Sequence, residues 1–166
     1  MQRILIIGAG GHAQVIADIL QRAREAGVAV HPLGYLDDNP ERHHHTLLGL
    51  RVFGPIAAHT TINYDTLIIG IGDNALRRRL FSQLAVQGAR FAIARHPSAI
   101  IAPDARIGAG TVLAAGSIVN PGSSIGVNSI INTGSSIDHH NHIDAHVHIA
   151  PSVLLGGDVT IGDGAM

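Results

Sequence analysis

From Ile101 onward an aliphatic residue returns at every sixth position: Ile101, Ile107, Leu113, Val119, Ile125, Ile131, Ile137, Ile143, Ile149, Leu155 and Ile161, with no failure in eleven. An amphipathic helix brings its stripe round every 3.6 residues and a half-buried strand alternates every two, so neither produces this period. Two places before each aliphatic stands a small or β-branched residue in nearly every hexad: Ala105, Thr111, Ser117, Ser123, Ser129, Ser135, Val147, Val153 and Val159. The place after each holds a residue that tolerates turn geometry: Gly108, Asn120, Gly126, Asn132, Asp138, Asp144, Gly156 and Gly162, with alanine in the remaining three.

A period of six is the hexapeptide pattern of a parallel β-helix, in which each hexad is one short strand plus a turn and three hexads close a triangular coil. Residues three hexads apart, eighteen positions, then stack at one corner. This rule gives geometry to a histidine-rich stretch, Ile131 to Pro151, which holds five of the chain's twelve histidines: His139, His140, His142, His146 and His148. The recurring aliphatic points inward, so the residue before it points outward. His142 and His148 take such outward places, and His139 sits in the turn after Ile137. Neither His139 nor His148 belongs in the coil's own core, and His140, His142 and His146 are expected at solvent or at an interface. Gly157 is expected directly over His139, with Pro121 directly under it.

Residues 1–97 follow another rule. Arg3 to Ile7 is a short apolar run of the buried parallel-strand type, Gly8-Ala9-Gly10-Gly11 breaks it, and His12 to Ala26 carries helical spacing through Val15, Ile16, Ile19 and Leu20. Val28 to Leu36 predicts a second strand ending in Asp37-Asp38-Asn39-Pro40, and Thr66 to Gly72 another that ends in glycines. Asn74 is placed to cap a helix through Gln87, and Phe91 to Ala94 closes with a strand. The alternation predicts a small open parallel sheet, a Rossmann-like α/β half domain over residues 1–97, followed by a β-helix over 98–166.

Eleven basic residues against twelve acidic ones give no surface for nucleic acid, and aromatics at 3% are too few for base stacking or a membrane belt. Only four apolar residues follow Met1-Gln2-Arg3 before the glycines, and no run approaches the about 20 needed to span a membrane. A cytoplasmic protein is expected, and the absence of cysteine fits a reducing compartment. It also means that any acyl chemistry proceeds without a cysteinyl intermediate.

Gly8-Ala9-Gly10-Gly11-His12-Ala13 fits G-x-G-x-x-A, and it follows a strand and opens a helix, as phosphate binding at a helix N-terminus requires. A full dinucleotide fold has two halves and about six strands; this domain has room for half. A mononucleotide diphosphate fits better, with Asp37 and Asp38 near the base or ribose and Gly72, Asp73 and Asn74 on the opposite wall. His43-His44-His45 falls between strands, in a solvated loop without an assigned role.

The glycine loop through His12, Leu36-Asp37-Asp38, Ile69 to Asn74 with Arg77, His96-Pro97-Ser98-Ala99, Asn132-Thr133, Asp138-His139, His148 and Gly156-Gly157 together carry a resemblance that covers the whole chain. It resembles the bacterial nucleotide-sugar acetyltransferases that join a small nucleotide-binding domain to a left-handed β-helix. These are the N-acetyltransferases of bacillosamine and perosamine synthesis and their sialic acid O-acetyltransferase-like relatives. The resemblance implies a homotrimer with active sites between neighbouring coils, acetyl-CoA as co-substrate, a nucleotide-linked amino sugar as acceptor, and no metal. It makes His139 the catalytic base and sets Asn132, His148, Gly156 and Gly157 around the acetyl donor. Gly8, Gly10, Gly11, His12, Asp37, Asp38, Gly72, Asp73 and Asn74 would hold the nucleotide sugar.

The chemistry suits these residue types. An amine attacks a thioester as the free base or while losing its proton, and an imidazole with an ordinary pKa near about 6.5 can take that proton. Gly157, stacked on His139, is a candidate to offer its N–H to the oxyanion. Without cysteine, the simplest course is direct transfer in a ternary complex. In relatives a carboxylate commonly follows the base and orients it; here His140 stands there, and Asp138 is the candidate substitute. Three other readings share these residues: a sugar O-acetyltransferase, a non-catalytic nucleotide-sugar binding module, and a zinc hydrase of the γ-carbonic-anhydrase type using His139, His140, His142 and His148. The last has no use for a glycine-loop domain. The chain reaches Gly164-Ala165-Met166 in mid-hexad with no cap, which predicts a truncated β-helix with impaired acetyl-CoA binding.

Overall fold

The computed structural model describes residues 1–166. The apolar run becomes β1 (Gln2–Ile7), whose Ile4, Leu5, Ile6 and Ile7 are fully buried. It lies between β2 (Val30–Leu36) and a later strand, Thr66–Ile69, with parallel neighbours on both sides, which is why it reads as continuous hydrophobe instead of alternating. α1 (Gly11–Glu25) crosses the sheet and buries Ala13, Ile16, Ala17 and Leu20. An edge absent from the sequence reading follows: β3 (Thr46–Leu47) and β4 (Leu50–Gly54) form a hairpin on the far side of β2. With β5 (Thr66–Ile69) the sheet order is β3-β4-β2-β1-β5. α2 (Asn74–Val86) is capped by Asp73, not Asn74, the Asp73 carboxylate accepting the Leu76 N–H at 2.7 Å. The strand expected over Phe91 to Ala94 divides: Phe91 makes a single bridge to Leu67, and Ala94–Arg95 leaves the open sheet altogether.

Ala94–Arg95 is the first of twelve two-residue strands, the last Thr160–Ile161, which stack into three parallel four-stranded sheets. Partners are eighteen positions apart, as in Ile118 with Ser136 and Ser124 with His142. All eleven hexad aliphatics meet in one core, seven of them buried and Ile101, Ile107, Leu155 and Ile161 packed against those. The arrangement is a left-handed β-helix. The second inward place is small because it turns into the corner, where its hydroxyl bonds the next turn: Ser123 donates to the Asp138 carbonyl at 2.8 Å and Ser129 to the Asp144 carbonyl at 3.2 Å. Each corner also needs a left-handed residue, and at one of them Gly122, His140 and Asp158 form a column with φ of 74°, 57° and 58°.

The two parts share a core. Ile16 and Tyr35 of the α/β part cluster with Val112, Ala114 and Ile130 of the β-helix. Arg77, 1% exposed, fastens the junction. Its guanidinium donates to the Gly72 and Ile71 carbonyls on one side, to the Asn128 carbonyl at 3.1 Å and the His146 carbonyl at 3.0 Å on the other, and to Asn74 Oδ1 at 2.7 Å. Burial, with no carboxylate in contact, lowers its pKa to about 10. His146, expected at solvent or an interface, is buried at the same junction against Phe81 and accepts from the Asn128 amide at 2.8 Å. No helix is long and apolar enough to cross a membrane.

Candidate active site

The glycine loop forms because β1 ends where α1 must begin within three residues. Gly8 takes φ of +98°, and a side chain there would press on Ile71 and the Gly70 carbonyl. The loop is held from beneath by Asp37 at the end of β2, whose carboxylate accepts the N–H of Ala9 at 2.7 Å and of Asn39 at 2.9 Å and pairs with Arg42 at 2.9 Å. Burial alone would raise the Asp37 carboxyl; those two N–H groups and Arg42 overcome it and hold it below the usual carboxylate range. Gly8, Gly10, Gly11, His12, Asp37, Asp38 and Gly72 line one cavity of about 360 Å³. Asp73 and Asn74 lie outside it: Asp73 caps α2, and the Asn74 amide donates to the Gly164 and Ala165 carbonyls of the β-helix. His43 is not simply solvated, since its ring meets the Asp37 carbonyl at 2.7 Å.

Two cations in this cavity were not singled out from sequence, Arg42 and Arg79. Arg42 Nη1 stands over Gly10, 3.7 Å from where a Cβ would be. With the uncapped N-terminus of α1 in the same lining, they make a cavity suited to a diphosphate.

His12 closes the cavity on the β-helix side, its ring centroid 6.4 Å from that of His148. His148 points out of the β-helix as expected, but towards the α/β part. The Asn132 amide donates to its Nε2 at 3.0 Å, leaving Nδ1 buried without a partner, and His12 Nε2 is buried and unpartnered as well. The Asn132 amide is oriented by the Thr133 N–H on its oxygen at 2.8 Å. Burial, the neighbouring His148 and Arg77 lower His12 to about 4, and burial with Arg77 lowers His148.

His139 sits exposed at a corner, with Gly157 stacked on its imidazole as the eighteen-residue rule requires. The Gly157 N–H has no acceptor within the chain. Asp138 does not reach the ring; its Oδ1 accepts the backbone N–H of His139 at 2.7 Å. His140 does, its Nδ1 lying 3.1 Å from Nδ1 of His139, so one ring nitrogen donates to the other. Asn141, buried beneath, donates to the Asp138 carbonyl at 2.7 Å and the Gly156 carbonyl at 2.9 Å and accepts the Val159 N–H at 2.8 Å. It thus ties together the turns that carry His139 and Gly157. Its signal in the sequence was plain: among the places two before the aliphatics, it breaks the small or β-branched pattern.

Residues 3–84 match the PglD N-terminal domain family. The whole fold superposes on the crystal structure of PerB from Caulobacter crescentus in complex with CoA and GDP-perosamine, with a TM-score of 0.84 and 34% identity, over 96% of this chain and 74% of that one. The chain belongs to the nucleotide-sugar N-acetyltransferase family. A second member, the acetyltransferase domain of PglB from Neisseria gonorrhoeae in complex with acetyl coenzyme A, matches with a TM-score of 0.83 and 30% identity over 98% of this chain and 80% of that one. The UDP-N-acetylbacillosamine N-acetyltransferase of Bacillus subtilis is 34% identical over 118 residues, 68% of this chain. The chain spans about half, 51%, of that relative's length.

Proposed function

We propose that this chain is an acetyl-CoA-dependent N-acetyltransferase of nucleotide-linked amino sugars, working by direct transfer. Residues 1–97 hold the acceptor by its nucleotide, the diphosphate at the N-terminus of α1 between Arg42 and Arg79. Residues 98–166 perform the transfer. The amine attacks the thioester carbonyl while His139 Nε2 takes its proton, and the N–H of Gly157 meets the oxyanion. Collapse expels the CoA thiolate, and the proton held on His139 passes to it. For Nε2 to be free, His139 must carry its other hydrogen on Nδ1, and His140 Nδ1 is the acceptor that favours this tautomer. Asn132, His148 and Gly156 are the residues that the family resemblance assigns to the donor.

The observation that carries this reading is the pairing of His139 with a glycine whose N–H is unspent, on a fold whose other half is a diphosphate cradle. A homotrimer fits the outward face that bears Ile100, 63% exposed, and Leu154, 75% exposed, in one sheet. The proposed use of acetyl-CoA favours a cytoplasmic enzyme.

Calorimetric titration with UDP, GDP and dTDP, followed by release of CoA thiol from acetyl-CoA in the presence of the matching amino sugar, tests the proposal. Saturable binding of one nucleotide and amine-dependent thiol release support it. Nucleotide binding without any thiol release would instead make the chain a binding module, and transfer to sugars bearing only hydroxyls would make it an O-acetyltransferase.

A further inference from the structure

The corner that presents His139 holds a second donor set. His139, His140 and Asp158 are all exposed, and one ligand atom from each lies within 4.8 Å of the others. The β-helix itself brings them together: Asp158 is eighteen residues above His140 in one column, and His139 is the next place along the turn. Gly122 below lets the His140 ring lie flat on the corner, where a Cβ at 122 would strike Cδ2 at 2.6 Å. Gly157 above leaves the face of His139 uncovered by any side chain.

We propose that this corner is a site for a zinc-class divalent cation, bound by His139, His140 and Asp158 with water in the fourth place. Two imidazoles and one carboxylate with an open position suit zinc or cobalt, not magnesium or calcium, which need a shell of oxygens. Tetrahedral donors on zinc stand about 3.3 Å apart, given bonds of about 2.0–2.2 Å. The two Nδ1 atoms are already 3.1 Å apart, so the ion replaces the hydrogen they share, and the Asp158 carboxylate closes in through exposed side-chain torsions.

Bound there, the cation occupies a lone pair of His139 and leaves the other ring nitrogen protonated, so the base cannot accept a proton. The site is therefore an inhibitory one, created by the histidine that stands after the base. The inhibition rests on the acetyltransfer reading; the binding does not.

Cobalt(II) titrated into the full chain, followed by visible absorption, tests the binding directly. The expected result is one cobalt per chain with the intense bands of four- or five-coordination, displaced by zinc. Asp158→Asn and His140→Gln each weaken it on the order of 100-fold, while His44→Gln leaves it unchanged. Absence of saturable binding overturns the proposal, as does binding that persists in both corner variants or follows His44. In the transfer assay zinc is expected to inhibit the unmodified chain, reversibly with EDTA, and to spare Asp158→Asn; equal inhibition of both overturns the inhibitory role. Should no transfer be seen at all, the cobalt spectrum still decides the site.

Discussion

Gly157 packs so closely on the imidazole of His139 that a methyl group at 157 would overlap the ring's Cε1, Nε2 and Nδ1 atoms. Gly157→Ala must therefore push the ring away, breaking its alignment with both His140 and the acceptor. Its φ is not in the left-handed region, so alanine is tolerated by the backbone. The expected result is a fall in kcat of about 10²-fold or more, the usual loss when a base or an oxyanion donor is displaced. The thermal midpoint stays within a few degrees, about the shift of 1 kcal/mol in a chain this size. Steady-state kinetics beside a melting curve measure both.

Asn141→Val keeps the shape of an inward place while removing three hydrogen bonds. It strands the Gly156 carbonyl and the Val159 N–H, whereas the Asp138 carbonyl keeps Ser123. Urea unfolding is expected to show a loss of about 2–4 kcal/mol. Transfer should fall in the folded fraction, because the turns bearing His139 and Gly157 are no longer tied. A variant with full activity per folded molecule would show that the three Asn141 bonds are structural only.

Arg77→Lys replaces a planar fork with a single ammonium that can satisfy at most three of its acceptors. The remaining carbonyls stay buried and bare, at a cost of about 2–4 kcal/mol. Chemical denaturation measures this. Nucleotide affinity should move little, since Arg77 is not among the residues lining the cavity.

Acid should loosen the fold through His12. Its pKa falls from 6.5 to about 4 on folding, burial being the main cause. Between those values the unfolded chain binds the extra proton, so stability is fully present above pH 6.5 and is lost as pH falls through 4, by about 3 kcal/mol in all. His146 and His148 are lowered as well and add to the same slope. Unfolding free energies at pH 7, 5.5 and 4 should therefore fall less steeply in His12→Asn than in the unmodified chain. Parallel slopes would show that His12 is protonated freely in the folded state.

What could be read from sequence was what repeats or what is local. Each hexad makes the same choice again, so one error would not have hidden the period, and the stacking of Gly157 on His139 followed from counting alone. The glycine loop was legible because turn, strand end and helix start adjoin in the chain. Arg77 was named only as part of the family resemblance; its role at the junction was not legible, because its partners are mostly backbone carbonyls at residues such as 72, 128 and 146, which carry no side-chain signature. Asp37 was assigned to the ligand from its motif, yet its carboxylate is largely taken up by the loop. His140 was visible as the residue after the expected base, but its contact with His139 and its place beneath Asp158 depend on two columns of the coil meeting at one corner.

The even spacing of the coil also bears on how the chain reaches this state. The backbone hydrogen bonds from Ile100 to Ser117, from Arg106 to Ser123 and from Asp144 to Ile161 all close loops of one length. The closure entropy is then nearly the same for every coil. Parallel sheets are ordinarily slow to fold because their strands meet across long and unequal stretches of chain. Here a completed coil is the template for the next, and the core shared with α1 offers the first of them a surface to form on. Folding becomes nucleation followed by growth, with a rate set by the first coil and not by the number that follow.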